Sequence, residues 1–234
     1  QGIKQSHLLD AINAWGDPRS SVLGDTLVDQ YAACQASGRS AEAPVVVVRE
    51  LERKNFIGGA AVVAAHISAL GAHCDFISVV GADSTAELVR QELAVQGIGN
   101  GLSADPSRPT TLKKRYVVEN QKLFRVSRLE EHNLDADVED QVIAQLQKLA
   151  PNADGIVVSD FVYGVVTPRI LEVVHQLAEQ HNLLLFGDLQ CSSQVGSVTR
   201  FKNFSLLCPN EREARLALQD KDSGPAKVNQ RPPQ

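Results

Sequence analysis

The chain has 234 residues, 43% of them hydrophobic and 22% charged, enough apolar material for one large domain with a real core and too much for global disorder. Its formal net charge of −5 and aromatic content of 5% argue against a protein that coats nucleic acid or anionic membrane, or that stacks single-stranded bases. The four cysteines, Cys34, Cys74, Cys191 and Cys208, are far apart and form no CxxC pair, the pattern of reduced thiols in a cytosolic protein; no histidine spacing suggests zinc.

Residues 6–15 read as a short helix closed by Gly16-Asp17-Pro18, and with their linker they make an N-terminal appendage over residues 1–19. Residues 20–24 are a short strand ending in Asp25. The β-branched run at 45–48 lies between polar linkers and reads as exposed or partly covered strand. Gly58-Gly59 opens a helix of small residues from Ala60 to Leu70. The longest apolar stretch, 58–72, is broken by His66 and Ser68 and is too short to span a membrane. The first residues carry no apolar signal core, so a cytoplasmic location is expected.

Residues 75–80 form the next strand, and Asp83 or Ser84 caps a helix to about Gln96. Residues 98–110 read as a loop with two prolines, and 111–118 with 121–128 as a hairpin about Glu119-Asn120. Asp137 caps a helix bearing Val138, Val142, Ile143, Leu146 and Leu149 at helical spacing. The strand at 155–159 ends in Asp160. Thr167-Pro168 starts a further helix to about Asn182, a buried strand at 183–186 runs into Gly187-Asp188, and a last strand at 204–208 precedes Pro209-Asn210.

Apolar strands alternating with amphipathic helices indicate an α/β fold, a doubly covered, mainly parallel sheet. The segments at about 27–56 and 111–128 interrupt that alternation and read as one small antiparallel β lid on an α/β body spanning 20–218. After Ala217 the periodicity stops, and residues 219–234 read as a flexible tail.

In open parallel sheets ligands bind beyond the carboxyl ends of the strands, where this chain places Asp25, Asp160, Asp188 and Asn210. Any one of them ends a strand equally well as a turn or cap residue; four on one edge favour a site. Gly58-Gly59 lets a backbone approach a ligand closely or lets a helix pack closely on the sheet. Asn210 and Glu213 offer an amide and a carboxylate suited to hydrated magnesium, or alternatively a capping box. Neither a dinucleotide fingerprint nor a P-loop is present.

Gly24-Asp25, Glu42-Ala43-Pro44-Val45, Gly58-Gly59-Ala60-Ala61, Val80-Gly81-Ala82-Asp83, Arg108-Pro109-Thr110-Thr111-Leu112-Lys113, Leu123-Phe124-Arg125-Val126, Ser159-Asp160 and Pro209-Asn210 with Glu213 follow one another in an order that resembles the ribokinase-like (PfkB) carbohydrate kinases, most nearly those acting on heptose 7-phosphate. The resemblance implies a ribokinase-like fold and ATP- and magnesium-dependent phosphorylation of a hydroxyl on a sugar or sugar phosphate. Asp25, Gly58, Gly59 and Asp160 would bind the sugar. Asp188, Asn210 and Glu213 would serve the nucleotide, with Asn210 and Glu213 organising magnesium. The lid would close over the sugar and exclude water. A homodimer through the lid would cover exposed strand edges such as 45–48.

This chain departs from the family pattern in three places on the sugar side. Val62 stands where Asn is usual, Tyr163 where the heptose kinases carry Lys, and Asp188-Leu189-Gln190 where they carry Asp-Pro-Lys. The family's Gly-Ala-Gly-Asp motif, which supplies the catalytic base, does not occur, so no residue here takes that role. The expectation is an incomplete record of a sugar kinase, with a non-catalytic sugar-binding or dimerising relative as the alternative.

Overall fold

The computed structural model describes residues 4–14, 16–190 and 197–219. Helix α1 (Gln5–Asn13) leads to β1 (Arg19–Gly24), and β2 (Thr26–Arg39) and β3 (Val46–Gly59) follow as a long pair. Next come α2 (Ala60–Ala69), β4 (His73–Val80), α3 (Ser84–Val95), β5 (Gly99–Ala104), β6 (Thr111–Val118) and β7 (Gln121–Arg128). The chain continues through α4 (Ala136–Leu149), β8 (Gly155–Asp160), α5 (Pro168–His181), β9 (Leu184–Leu189), β10 (Leu206–Leu207) and α6 (Glu211–Ala217).

Six strands form the body sheet in the order β10-β9-β8-β1-β4-β5, every neighbouring pair parallel. Successive side chains on a strand face opposite ways, so each central strand feeds two cores. Val22 and Phe76 pack with Ala60, Ala64, Val89 and Leu93 of α2 and α3. Leu23, Ile77, Ile156 and Val158 pack with Val142, Leu146, Ile170 and Val174 of α4 and α5 on the other side. The alanines of α2 bring that helix close to the sheet.

The small sheet has the order β3-β2-β6-β7 and is mixed. The expectation of an antiparallel lid holds for β2 with β3 and for β6 with β7, but β2 and β6 run parallel. The cause lies in the body. β2 leaves the carboxyl end of β1 and β6 leaves that of β5; those two body strands are parallel, so their continuations set out in the same direction.

Other expectations change in detail. Residues 99–104, expected as loop, form the edge strand β5, held by backbone pairing to β4 rather than by β-branched side chains. The N-cap of α4 is Asp135, not Asp137. The strand expected at 204–208 shortens to Leu206–Leu207. Asp83 and Thr167 cap α3 and α5 as expected, accepting from Ala86 and Ile170 N–H. Cys34, Cys74 and Cys208 are unpaired, whereas Cys191 and the tail from 220 onward lie outside the described residues. Among the described residues no helix is long and apolar enough to cross a membrane.

Candidate active site

The two sheets join where β1 ends and α2 begins. Ala60 N–H donates to the Asp25 carbonyl at 2.9 Å, tying the start of α2 to the end of β1. Gly59 has φ +68°, and a Cβ there would sit 2.2 Å from the Asp25 carbonyl oxygen, so only glycine fits the junction. Because β2 departs from this point and β3 returns to it, the small sheet overhangs the carboxyl edge of the body sheet.

Between the sheets opens a cleft of about 420 Å³. Gly58, Gly59, Ser159 and Asp188 line it from the body, and Asp29, Lys113, Arg115 and Arg125 from the small sheet. Asp29 stands in register with Lys113, and Arg115 with both Tyr31 and Arg125. Arg115 pairs with Asp29 and lies over the Tyr31 ring, 5.4 Å from its centroid.

Asp25 lies beneath the cleft, 1% exposed. Its carboxylate accepts the N–H groups of Phe161 (2.7 Å), Val165 (3.2 Å) and Tyr163 (3.4 Å), all in the loop that leaves β8. Burial, then the nearby charge of Asp160, pushes its pKa up to about 7 against the pull of those three N–H groups. Asp160, also 1% exposed, accepts from Val162 N–H at 2.8 Å and from Arg200 at 2.6 Å. Burial raises its pKa and the Arg200 charge opposes the rise. Arg200 also donates to the Val166 carbonyl, and Arg108 to that of Tyr163 at 2.9 Å, so the loop is fastened from both sides.

Four strand endings are expected on one rim from the sequence. The structure divides them: Asp25 and Asp160 form a buried pair holding the 161–165 loop, whereas Asp188 reaches the cleft with Gly58 and Gly59. Asp188 is half-buried, and burial followed by the charge of Glu213 raises its pKa. Asn210 and Glu213 make a capping box at the start of α6: the Asn210 side chain accepts Glu213 N–H at 3.0 Å, and Glu213 accepts Asn210 N–H at 2.9 Å. Of the two sequence-level alternatives for this pair, the cap is therefore formed.

Asp29, Lys113, Arg115 and Arg125 do not stand out in the sequence as site residues. The available signal is period two: charged residues at 113 and 115 share a face once β6 is recognised as a strand. What they face depends on the parallel pairing of β2 with β6.

The family model for pfkB family carbohydrate kinases matches residues 17–234. The chain is 34% identical over 200 residues to the D-beta-D-heptose 7-phosphate kinase of Bordetella bronchiseptica, covering 86% of this chain and 61% of that protein. It is 31% identical over 202 residues to the bifunctional protein HldE of Geobacter metallireducens, covering 86% of this chain and 40% of that one. The chain thus spans only part of the length of both curated relatives. Among solved structures, phosphofructokinase-2 from Escherichia coli in complex with fructose-6-phosphate superposes with a TM-score of 0.71 at 17% identity, over 92% of this chain and 68% of that one, a likeness of fold. The ordered motifs, the overhanging mixed sheet and a match over nearly the whole length agree: the chain belongs to the pfkB family of carbohydrate kinases.

Proposed function

We propose that this chain is the sugar-holding part of an ATP-dependent kinase that phosphorylates a hydroxyl of a sugar or sugar phosphate, of the heptose-phosphate kind. The observation that carries the reading is the cleft between the two sheets, which sets an approachable glycine backbone opposite Asp29 and three cations. Asp29 and Asp188 accept hydrogen bonds from sugar hydroxyls there, and the Gly58-Gly59 backbone admits the ring against the start of α2. Asp25 and Asp160 act through the 161–165 loop, whose Phe161 lines the cleft. The small sheet covers the sugar and keeps water, a competing phosphoryl acceptor, away.

Magnesium fits the donor chemistry next to the cleft. Asp188 is a hard oxygen donor that lines the cleft, the ligand type that magnesium takes. Asp188 would hold the ion, which would neutralise phosphate charge, whereas the side-chain oxygens of Asn210 and Glu213, which the family resemblance gives to magnesium, accept backbone N–H groups in the cap of α6. Exposed apolar side chains on the small sheet, among them Val46, Leu51, Phe124 and Val126, suit a homodimer through that sheet.

Release of ADP from magnesium-ATP, measured across sugars and sugar phosphates, tests the reading. Release stimulated by a sugar and lost in Asp29→Ala supports it. Sugar binding without release favours the second reading, a non-catalytic relative, which Val62, Tyr163 and Gln190 in place of the usual family residues support. Absence of both binding and release defeats the two together.

A further inference from the structure

Among the described residues the small sheet is joined to the body at four chain crossings: β1 into β2, β3 into α2, β5 into β6 and β7 into α4. Three of them meet the loop that leaves β8. At the first, Asp25 holds the loop through its carboxylate. At the third, Arg108 donates to the Tyr163 carbonyl at 2.9 Å. At the fourth, Leu134 N–H donates to the Gly164 carbonyl at 3.2 Å. The second crossing joins them at one remove, because Ala60 N–H binds the Asp25 carbonyl.

Arg108 binds three of these segments at once. Its buried guanidinium pairs through Nε with Asp105 of its own crossing at 2.7 Å. One terminal nitrogen reaches Tyr163 in the loop, and the other reaches the His132 carbonyl in the fourth crossing at 2.8 Å. Asp105 is in turn fixed to the body, its N–H donating to the Val80 carbonyl at 2.8 Å. The pair with Asp105 alone would neutralise the buried charge. Holding two carbonyls on separate segments needs the planar fork of a guanidinium, which an ammonium lacks. Gly164 is an independent sign of the same convergence. Its φ is +93°, and a Cβ there would sit 2.0 Å from the His132 carbonyl oxygen, so loop and crossing meet backbone to backbone.

The loop contributes Phe161 to the cleft, and the β6–β7 hairpin contributes Lys113, Arg115 and Arg125 to the facing wall. β6 leaves the crossing that bears Arg108, and β7 runs into the one that Arg108 reaches through His132. We propose that Arg108 is a positioning residue of the cleft: it lashes the 161–165 loop to both ends of the β6–β7 hairpin, so that the two walls keep their spacing as one unit. Arg108 acts through Tyr163 and His132 and has no part in ligand contact. Which ligand uses the cleft rests on the kinase reading above; the tie does not.

Hydrogen exchange of single amides in the full chain tests this without a ligand. In the wild type at low denaturant, the amides of Phe161, Tyr163, Val165 and Leu134 are expected to open together. Arg108→Lys keeps a charge beside Asp105 but not the fork. It is expected to speed exchange at all four by at least ~10-fold, against less than ~3-fold at Ile77 and Val79 of β4. Val174→Ala, a cavity in the core under α5, controls for general loss of stability and should not single out these four amides. Separate opening of the loop and Leu134 in the wild type, or a uniform change along the chain in Arg108→Lys, overturns the proposal. If Arg108→Lys fails to fold, the wild-type measurement and Gly164→Ala, which wedges the loop from His132, decide by the same criteria. Calorimetric titration with heptose 7-phosphate completes the test. Its affinity is expected to fall at least ~10-fold in Arg108→Lys and to hold in Val174→Ala, as misplacement of a binding wall requires. Full affinity in Arg108→Lys overturns the positioning role. Joint opening in a wild type that binds no heptose 7-phosphate keeps the unit and sinks the kinase reading.

Discussion

The carboxylate of Asp25 accepts the backbone N–H of Phe161 at 2.7 Å, joining the end of β1 to a loop 136 residues downstream. With Tyr163 and Val165 it forms a three-donor clamp. Each buried donor left without an acceptor costs about 1–3 kcal/mol. Asp25→Ala is therefore expected to lower unfolding free energy by about 3–5 kcal/mol in a guanidinium titration, and Asp25→Asn, which keeps an acceptor oxygen, by less. A loss below ~1 kcal/mol in the alanine variant would mean the loop is held by other contacts.

The same carboxyl gives the protein a signature in pH. Its ordinary value is 3.8 and its folded value about 7. Below both values it is protonated in either state and its contribution to stability is complete. Between them the folded protein keeps a proton that the unfolded chain has released, so stability falls as pH rises, and above about 7 the contribution is gone. Wild type should lose a few kcal/mol relative to Asp25→Asn between pH 4 and 7, read from denaturation midpoints. A wild-type advantage that grows with pH would contradict this.

Arg108 and Asp105 form an ion pair at 2.7 Å with side chains 6% and 2% exposed, and Arg108 also donates to the carbonyls of Tyr163 and His132. Breaking a buried pair strands the remaining charge, which costs about 3–5 kcal/mol. Arg108→Met is expected to fall in that range by chemical denaturation, and removing both partners in Arg108→Met with Asp105→Asn to recover part of the loss. Equal destabilisation by the single and double variants would show that the carbonyl contacts, not the pair, dominate.

At Gly59 an alanine meets both a left-handed backbone and the Asp25 carbonyl oxygen at 2.2 Å. Gly59→Ala should cost upward of ~2 kcal/mol and displace the start of α2. Gly16→Ala, where a Cβ meets nothing within 4 Å, is the matched control and should change stability by less than ~0.5 kcal/mol. Similar midpoints for the two variants would show that the junction yields.

The body is legible in the sequence because its signals are local. The run ending in Asp160 is buried on both faces, that ending in Asp188 chiefly on one, with helices carrying one apolar stripe between such runs, and Thr167-Pro168 announces its helix through cap chemistry. The edge strand β5 escapes notice because Gly99, Asn100 and Gly101 carry no strand propensity, and only the β4 backbone recruits them. The cleft is half legible. Gly58, Gly59 and Asp188 stand in it, but Asp25 and Asp160 turn beneath it, because a strand-end carboxylate looks the same in sequence whether its acceptors serve a ligand or a loop. Lys113 and Arg125 fall in motifs of the family order, but their place in the cleft, like that of Asp29 and Arg115, follows only from pairing between distant strands.

Parallel pairing of β2 with β6 also dictates an order of assembly. The partners are separated in sequence by β3, α2, β4, α3 and β5, so their pairing closes a long loop and gains nothing until the intervening layer has condensed. The overhanging wall should therefore nucleate last, after the layers beneath it. A half-formed chain would present the glycine junction without the overhanging wall, so a ligand seated between the two sheets should slow global unfolding rather than local fraying.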